Sequence, residues 1–322
     1  MGHNGHHHDH DGHHDHHDHH DHHGPGHSHA PADFNRAFAI GVVLNTALVV
    51  GQVVFGLIAH SLALVADAGH NFADVIGLLL AWWASRLTKS VPTRKHTYGL
   101  RGVSILAALA NAVLLLVTMG AVGWEAIARL SNPPPVQGQI VIWLATAGIV
   151  VNGVSAWLFF AGRKSDLNIR GAFLHLASDA AISLGVVAAG AAILWTGKLW
   201  IDPVASLVIV VTILYGTWGL LKDSINLSLQ AVPEHIDRTA VEQFLRRQPG
   251  ISEVHDLHIW AMSTKETALT AHLVKGDGVI DDGLLESIGQ ELREHFSISH
   301  ATIQLERGDQ AHACSLASNE VV

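Results

Sequence analysis

The sequence predicts an α-helical membrane protein, six spans followed by a small soluble α/β domain. Three observations lead there. Between about residues 34 and 222 the chain is dominated by long apolar runs, whereas Glu, Arg and Asp return at ordinary frequency from about 223 to 308. Only 15% of the 322 residues are charged while 49% are apolar, and mean hydropathy is +0.29. A soluble domain of that apolar content usually carries more charge.

The six runs lie at about 35–58, 63–86, 102–128, 139–161, 171–194 and 202–221. Each is long enough to cross hydrocarbon as a helix, which needs about 20 residues at 1.5 Å rise. The breaks, "AHS", "RLTKSVPTRKHTYG", "LSNPPPVQGQ", "GRKSDLNIR" and "WTGKLW", are polar or carry turn residues. Arg36, then Arg86, Lys89, Arg94, Lys95 and Arg101, then Arg163, Lys164 and Arg170, and Lys222 fall on one side. The other side has Arg129 and Lys198. Cationic connections stay inside, so both termini are expected in the cytoplasm. Arg94, Lys95 and Arg101 encode that orientation and are also available for an inter-domain contact with an acid such as Asp223.

Beyond the spans, "RTAVEQFLRRQ" (238–248) and "DDGLLESIGQELREHF" (281–296) have helical periodicity. "PGISEVHDLHIWAMS" (249–263) and "TALTAHLVKG" (267–276) alternate like paired strands, and "HATIQLE" (300–306) is a third. Helix, two strands, helix, strand suits one sheet covered on one face by two helices. Four regions are therefore expected: a tail at 1–33, a membrane domain at 34–222, a soluble domain at 223–308 and a loose end at 309–322.

Composition also excludes functions. No basic block suggests nucleic acid, and the formal charge of −9 counts 26 histidines as neutral. The only cysteine, Cys314, rules out an internal disulfide framework or a cysteine zinc ribbon. The first thirty residues are polar and lack the apolar core of a cleavable signal. They hold fifteen of the histidines interleaved with Asp, unlike the single run of an engineered tag. Such a tail has nothing with which to build a core. It offers many weak, overlapping sites for divalent metal, suited to concentrating metal rather than moving it; the alternative is a solvated, dispensable tail.

The chemistry lies inside the spans. Ionisable groups are costly there and mark function. In "SLALVADAGHNFADVIGLLLAWW", His70 and Asp74 are four apart and share a helix face, with Asp67 one turn earlier. "FLHLASDAAISL" repeats the spacing with His175 and Asp179. Two such helices can bring two imidazoles and two carboxylates to one point, a set that suits tetrahedral Zn²⁺ and also admits Co²⁺, Cd²⁺ or Ni²⁺. A single histidine or aspartate in a span is often an interhelical hydrogen bonder or half of an ion pair. No Lys or Arg sits within the spans to supply such a pair except near their ends. Asp67 either accepts from the His70 ring or lines a wet entrance. Asn45, in the first span, is expected to be interhelical glue beside the site.

"SLALVADAGHNFADV", "KHTYGLRGVSILAAL", "HLASD", "VHDLHIW" and "HATIQLE" together resemble the cation diffusion facilitator family, most closely its bacterial zinc/cobalt/cadmium efflux branch. The likeness covers about 34 to 308. It implies a homodimer of six-helix protomers in the bacterial inner membrane, with cytoplasmic ferredoxin-like domains, exporting divalent metal in exchange for protons. The resemblance implies transport ligands at His70, Asp74, His175 and Asp179, with His70 tilting the choice toward zinc. It also implies regulatory metal at His255, His272 and Glu306, with His300 as a fourth ligand. His258 would point away from His255 on a regular strand, and His312 and Cys314 are available to join from the tail. A membrane metal sensor or store is the alternative function. A metallohydrolase is not expected, because there is no His-Glu-x-x-His and a four-ligand site leaves no open position for water.

Overall fold

The computed structural model describes residues 36–160, 167–276 and 282–308, together with Cys314 and Leu316. The His/Asp tail, His312 and the basic cluster at Arg163 and Lys164 lie outside the described residues. Six helices come first: α1 (Arg36–Ile58), α2 (Leu62–Leu87), α3 (Val103–Ser131), α4 (Gly138–Phe160), α5 (Leu167–Thr196) and α6 (Ile201–Ser228). Among the described residues, α2 to α6 are long and apolar enough to span a membrane, and α1 contributes a shorter apolar stretch, Val43–Ile58. The last helix continues to Ser228, beyond the apolar run that ends near 221.

The helices face one another with small and aliphatic residues and turn aromatic ones outward. Leu64, Met119, Val141, Val186, Val210 and Ile213 from α2 to α6 form one buried cluster. Trp143, Trp195 and Tyr215 are at least three-quarters exposed, as expected of groups that meet lipid. Close approach requires glycine where α4 and α5 cross. A Cβ added to Gly138 would lie 2.8 Å from Leu194 Cγ and 3.0 Å from the Gly190 carbonyl oxygen. Small residues of this kind let membrane helices pack without a hydrophobic driving force between them.

A tight turn joins α1 to α2. Ser61 N–H donates back to the Gly56 carbonyl at 3.1 Å, with His60 in the left-handed region at φ 55°, the pattern that closes a helix C-terminus. Ser61 then caps α2 by accepting from Leu64 N–H. Asp202, at the start of α6 and 1% exposed, completes the cap. Its carboxylate accepts from Ser61 Oγ at 2.5 Å, Leu62 N at 2.7 Å and Ala63 N at 3.4 Å. Four N–H groups at every helix start need partners, and a carboxylate also suits the positive end of the helix dipole. Arg129, at the end of α3, donates to the His60 carbonyl at 3.0 Å. The start of α2 is thereby fixed against α3 and α6.

The remaining chain forms α7 (Arg238–Arg246), β1 (Ile251–Ala261), β2 (Thr267–Lys275), α8 (Asp282–Phe296) and β3 (Ile298–Glu306). The sheet order is β1-β2-β3, with β1 and β2 antiparallel and β2 and β3 parallel. Two i,i+4 pairs, Val241/Leu245 on α7 and Ile288/Leu292 on α8, meet Leu257, Leu269, Leu273 and Ile298 in a second core. This is the expected single sheet with two helices on one face.

The two parts touch through the α2–α3 connection. Arg101 Nη1 donates to Glu266 Oε1 at 2.8 Å. Ser104 Oγ accepts from Thr264 N at 3.1 Å, and the Tyr98 and His300 rings stand edge to face with centroids 5.6 Å apart. The anticipated acid, Asp223, is thus replaced by Glu266. The β1–β2 hairpin reaches the loop, while Asp223 is on α6 beside Glu234. Asp202→Ala is expected to leave buried N–H donors of α2 unpaired and lower stability by ~1–3 kcal/mol. Thermal unfolding of the purified protein at an unchanged temperature would contradict the capping role.

Candidate metal centres

The first centre joins α2 and α5. His70 Nε2 lies 3.1 Å from Asp179 Oδ1 and 3.6 Å from Asp74 Oδ2, and His175 Nε2 lies 3.5 Å from both Asp74 Oδ2 and Asp179 Oδ2. The imidazole rings meet edge to face, with centroids 6.1 Å apart. Each histidine therefore faces the aspartate of the other helix, as two copies of His-x-x-x-Asp do when their helices run in opposite senses. Zinc bonds to nitrogen and oxygen are about 2.0–2.2 Å, so the donors of a tetrahedron stand about 3.3–3.6 Å apart. Three of the four separations match that edge and the His70–Asp179 approach is shorter. Ligand atoms of His70, Asp74 and Asp179 fall within 4.8 Å of one another, and His175 joins them through its contacts with both carboxylates. Asp179 is 4% exposed at its side chain and His70 12%, whereas His175 and Asp74 retain 24% and 22%. The centre is sunk into the bundle and open on one flank.

Asp67 is fully buried and occupies neither of its two anticipated positions. It accepts from Gln52 Nε2 of α1 at 2.6 Å and from Ser183 Oγ of α5 at 3.2 Å, while Asn71 Nδ2 donates to Gln52 Oε1 at 3.4 Å. These bonds join three helices one turn from His70. No hydrogen bond joins Asp67 to the His70 ring, whose Nδ1 has no hydrogen-bond partner. Neither does Asp67 line a wet entrance, since it is sealed from solvent. Space for the knot comes from Gly148, where a Cβ would lie 2.9 Å from Ser183 Oγ. Asn45 is half-buried on α1, and Gln52, two turns further along, makes the contact expected of it. A second polar residue on the same face of an apolar span is a readable signal for such contacts, and Gln52 supplied it. Asp202 gave a similar one, as a carboxylate at the first turn of a span.

The second centre is on the sheet. His255 and His272 are cross-strand partners, with ring centroids 5.3 Å apart. His272 Nδ1 lies 3.0 Å from Glu306 Oε1, and His255 Nε2 lies 3.3 Å from Glu306 Oε2. His300 is not with them. It pairs with Ala268 toward the other end of β3, exposed beside Tyr98, whereas His272 pairs with Gln304 and Val274 with Glu306. Strand register separates His300 from Glu306 along β3.

The β1 strand is irregular between His255 and His258. Asp256 takes φ 48° there, a left-handed conformation rare outside glycine. Its carboxylate thereby reaches His272 Nε2 at 3.4 Å and His258 Nε2 at 2.9 Å. Asp256 thus stands at the far nitrogen of His272, the position from which a carboxylate orients a metal-bound imidazole. A regular strand would turn Asp256 to the opposite face from His255, so only the bulge brings it into use. Leu316, by a backbone hydrogen bond, works to lower the Cys314 thiol. Desolvation and the carboxylates of Glu306 and Asp256 outweigh it and hold the thiol above its ordinary range.

Residues 38–227 match the family model for the cation efflux transmembrane domain, and 233–308 that for the cation efflux protein cytoplasmic domain. Together these cover most of the chain, which belongs to the cation efflux family. Three similar proteins are the zinc transporter ZitB of Escherichia coli, the metal cation efflux system protein CzcD of Cupriavidus metallidurans, and the cadmium, cobalt and zinc/H(+)-K(+) antiporter of Bacillus subtilis. They are 37%, 36% and 34% identical over 87%, 88% and 89% of this chain and 90%, 90% and 94% of their own. The protein is therefore a multi-pass membrane protein of a metal-transporting family.

Asp67→Ala should strip Gln52 and Ser183 of their acceptor and lower stability by ~1–3 kcal/mol. With His272→Ala present to disable the sheet centre, the membrane centre should still bind zinc. Loss of that binding with no change in thermal unfolding would make Asp67 a ligand instead.

Proposed function

We propose that this protein is a proton-coupled exporter of divalent metal, zinc foremost, with cobalt, cadmium and nickel as further substrates. The observation that carries the reading is the four-donor centre formed by His70, Asp74, His175 and Asp179 within apolar helices. A protein that only sensed or stored metal has no need of ligands within its membrane helices, where they are costly. The names of the similar proteins, a zinc transporter, a metal cation efflux protein and a cadmium, cobalt and zinc antiporter, support the same direction.

The coupling follows from ligand chemistry. Bound metal needs neutral imidazoles and ionised carboxylates, so loading releases protons and protonation expels metal. The two ligating carboxylates are balanced either by one divalent cation or by protons on the imidazoles. An ordinary histidine titrates near about 6.5, within reach of an acidified outer face. Protons arriving from outside thus displace metal outward, and the empty, protonated site returns.

Several finer features belong to this proposal. The membrane is the bacterial inner membrane and both termini are cytoplasmic, as the basic connections favour. The chain works as a homodimer, and its second matched region is the family's cytoplasmic domain. His255, His272 and Glu306 hold regulatory zinc. Binding there favours one conformation of the dimer to the extent that affinity differs between conformations. The chain carries no enzymatic activity in this scheme, and the N-terminal histidines concentrate metal at the cytoplasmic mouth.

In liposomes, zinc flux should rise when the compartment receiving zinc is made acidic. Asp179→Ala should lower flux by more than the roughly 10–100-fold expected when a ligand merely loses its supporting partner. Equal flux without a pH gradient would contradict proton exchange; binding without flux in the wild type would favour the sensor. Removing residues 1–30 should weaken apparent affinity more than maximal rate, and complete loss of transport would contradict the concentrating role of the tail.

A further inference from the structure

The sheet centre has three donors from the folded domain, and a fourth approaches from the C-terminal segment. Cys314 Sγ lies 3.4 Å from His272 Nδ1. Ligand atoms of His255, His272, Glu306 and Cys314 all fall within 4.8 Å of one another. His255 is 5% exposed, and neither ring nitrogen makes a hydrogen bond. An imidazole so buried ordinarily finds a partner, and one left without it carries a desolvation cost of about 1–3 kcal/mol. Its Nε2 faces Glu306, toward the same point as the other donors. With Asp256 at its Nε2, His272 presents Nδ1 to both Glu306 and Cys314.

We propose that Cys314 is the fourth ligand of the sheet centre, making it a His₂GluCys site for a thiophilic divalent cation such as zinc or cadmium. This rests on reading His255, His272 and Glu306 as a metal site. Zinc–sulfur bonds are about 2.3 Å and zinc–nitrogen about 2.0–2.1 Å, which puts sulfur and nitrogen of a tetrahedron about 3.6 Å apart. The observed 3.4 Å fits. Metal binding takes up the thiolate and releases the thiol proton to solvent. Sulfur makes this centre chemically unlike the all-N/O centre in the membrane, and softer donors favour zinc and cadmium over magnesium or manganese.

Because Cys314 is the single cysteine of the chain, a thiol reagent reports on this position alone. The test uses full-length Asp179→Ala protein, whose membrane centre is impaired, with iodoacetamide and either zinc or cobalt(II). Zinc should slow alkylation at least tenfold, and His272→Ala should abolish that protection. Cobalt(II) should give a thiolate-to-metal charge-transfer band that Cys314→Ser removes while the tetrahedral visible bands persist. Tetrahedral bands dependent on His272, with no charge-transfer band and no protection, would overturn the role of Cys314 and keep the three-donor site. Absence of any His272-dependent band would overturn both.

Discussion

Two carboxylates, Asp74 and Asp179, share one pocket inside a helical bundle, and their repulsion constrains everything around them. Each sits within 3.6 Å of two imidazole nitrogens, and in a medium that solvates charge poorly such a pair needs positive charge between its members. A divalent cation supplies it directly, and protons on the imidazoles supply it in the cation's absence. The alternatives compete for the same atoms, so exchange is a property of the pocket itself. Holding the four side chains in place then falls to the helices.

That holding is done by buried hydrogen bonds more than by apolar contact, since lipid offers apolar side chains as good an environment as a neighbouring helix does. Asp67, Gln52, Ser183 and Asn71 tie α1, α2 and α5 beside the proposed metal donors. Asp202 and Ser61 tie the N-terminal end of α2 to α6. From the C-terminal end of α2, the loop to α3 reaches the sheet through Arg101–Glu266 and Tyr98–His300. These contacts connect the sheet directly to the helix that carries His70 and Asp74.

Helix-spaced features were the ones legible in the sequence. His70/Asp74 and His175/Asp179 declare themselves by i,i+4 spacing in apolar runs, and local periodicity also locates the eight helices and three strands found among the described residues. What escaped depended on contacts between distant segments or on irregular backbone. The Asp202 cap joins residues 141 apart in sequence, and Glu266 replaces Asp223 because of where a hairpin happens to reach. Asp256 becomes useful only through a positive φ. His300 misled because it sits on the same strand as Glu306, and distance along a strand is resolved only by register. Gln52 and Asp67 are each legible as polar groups in apolar spans, but their pairing across 15 residues and two helices is not.

The central claim is that four nitrogen and oxygen donors of α2 and α5 enclose one metal tetrahedrally. Zinc-edge X-ray absorption tests it on protein lacking residues 1–30 and carrying His272→Ala, loaded with one equivalent of zinc. The spectrum should show four nitrogen or oxygen neighbours at about 2.0–2.1 Å and no sulfur, and adding Asp179→Ala should abolish that environment. A six-coordinate oxygen shell, or a spectrum unmoved by Asp179→Ala, would contradict it.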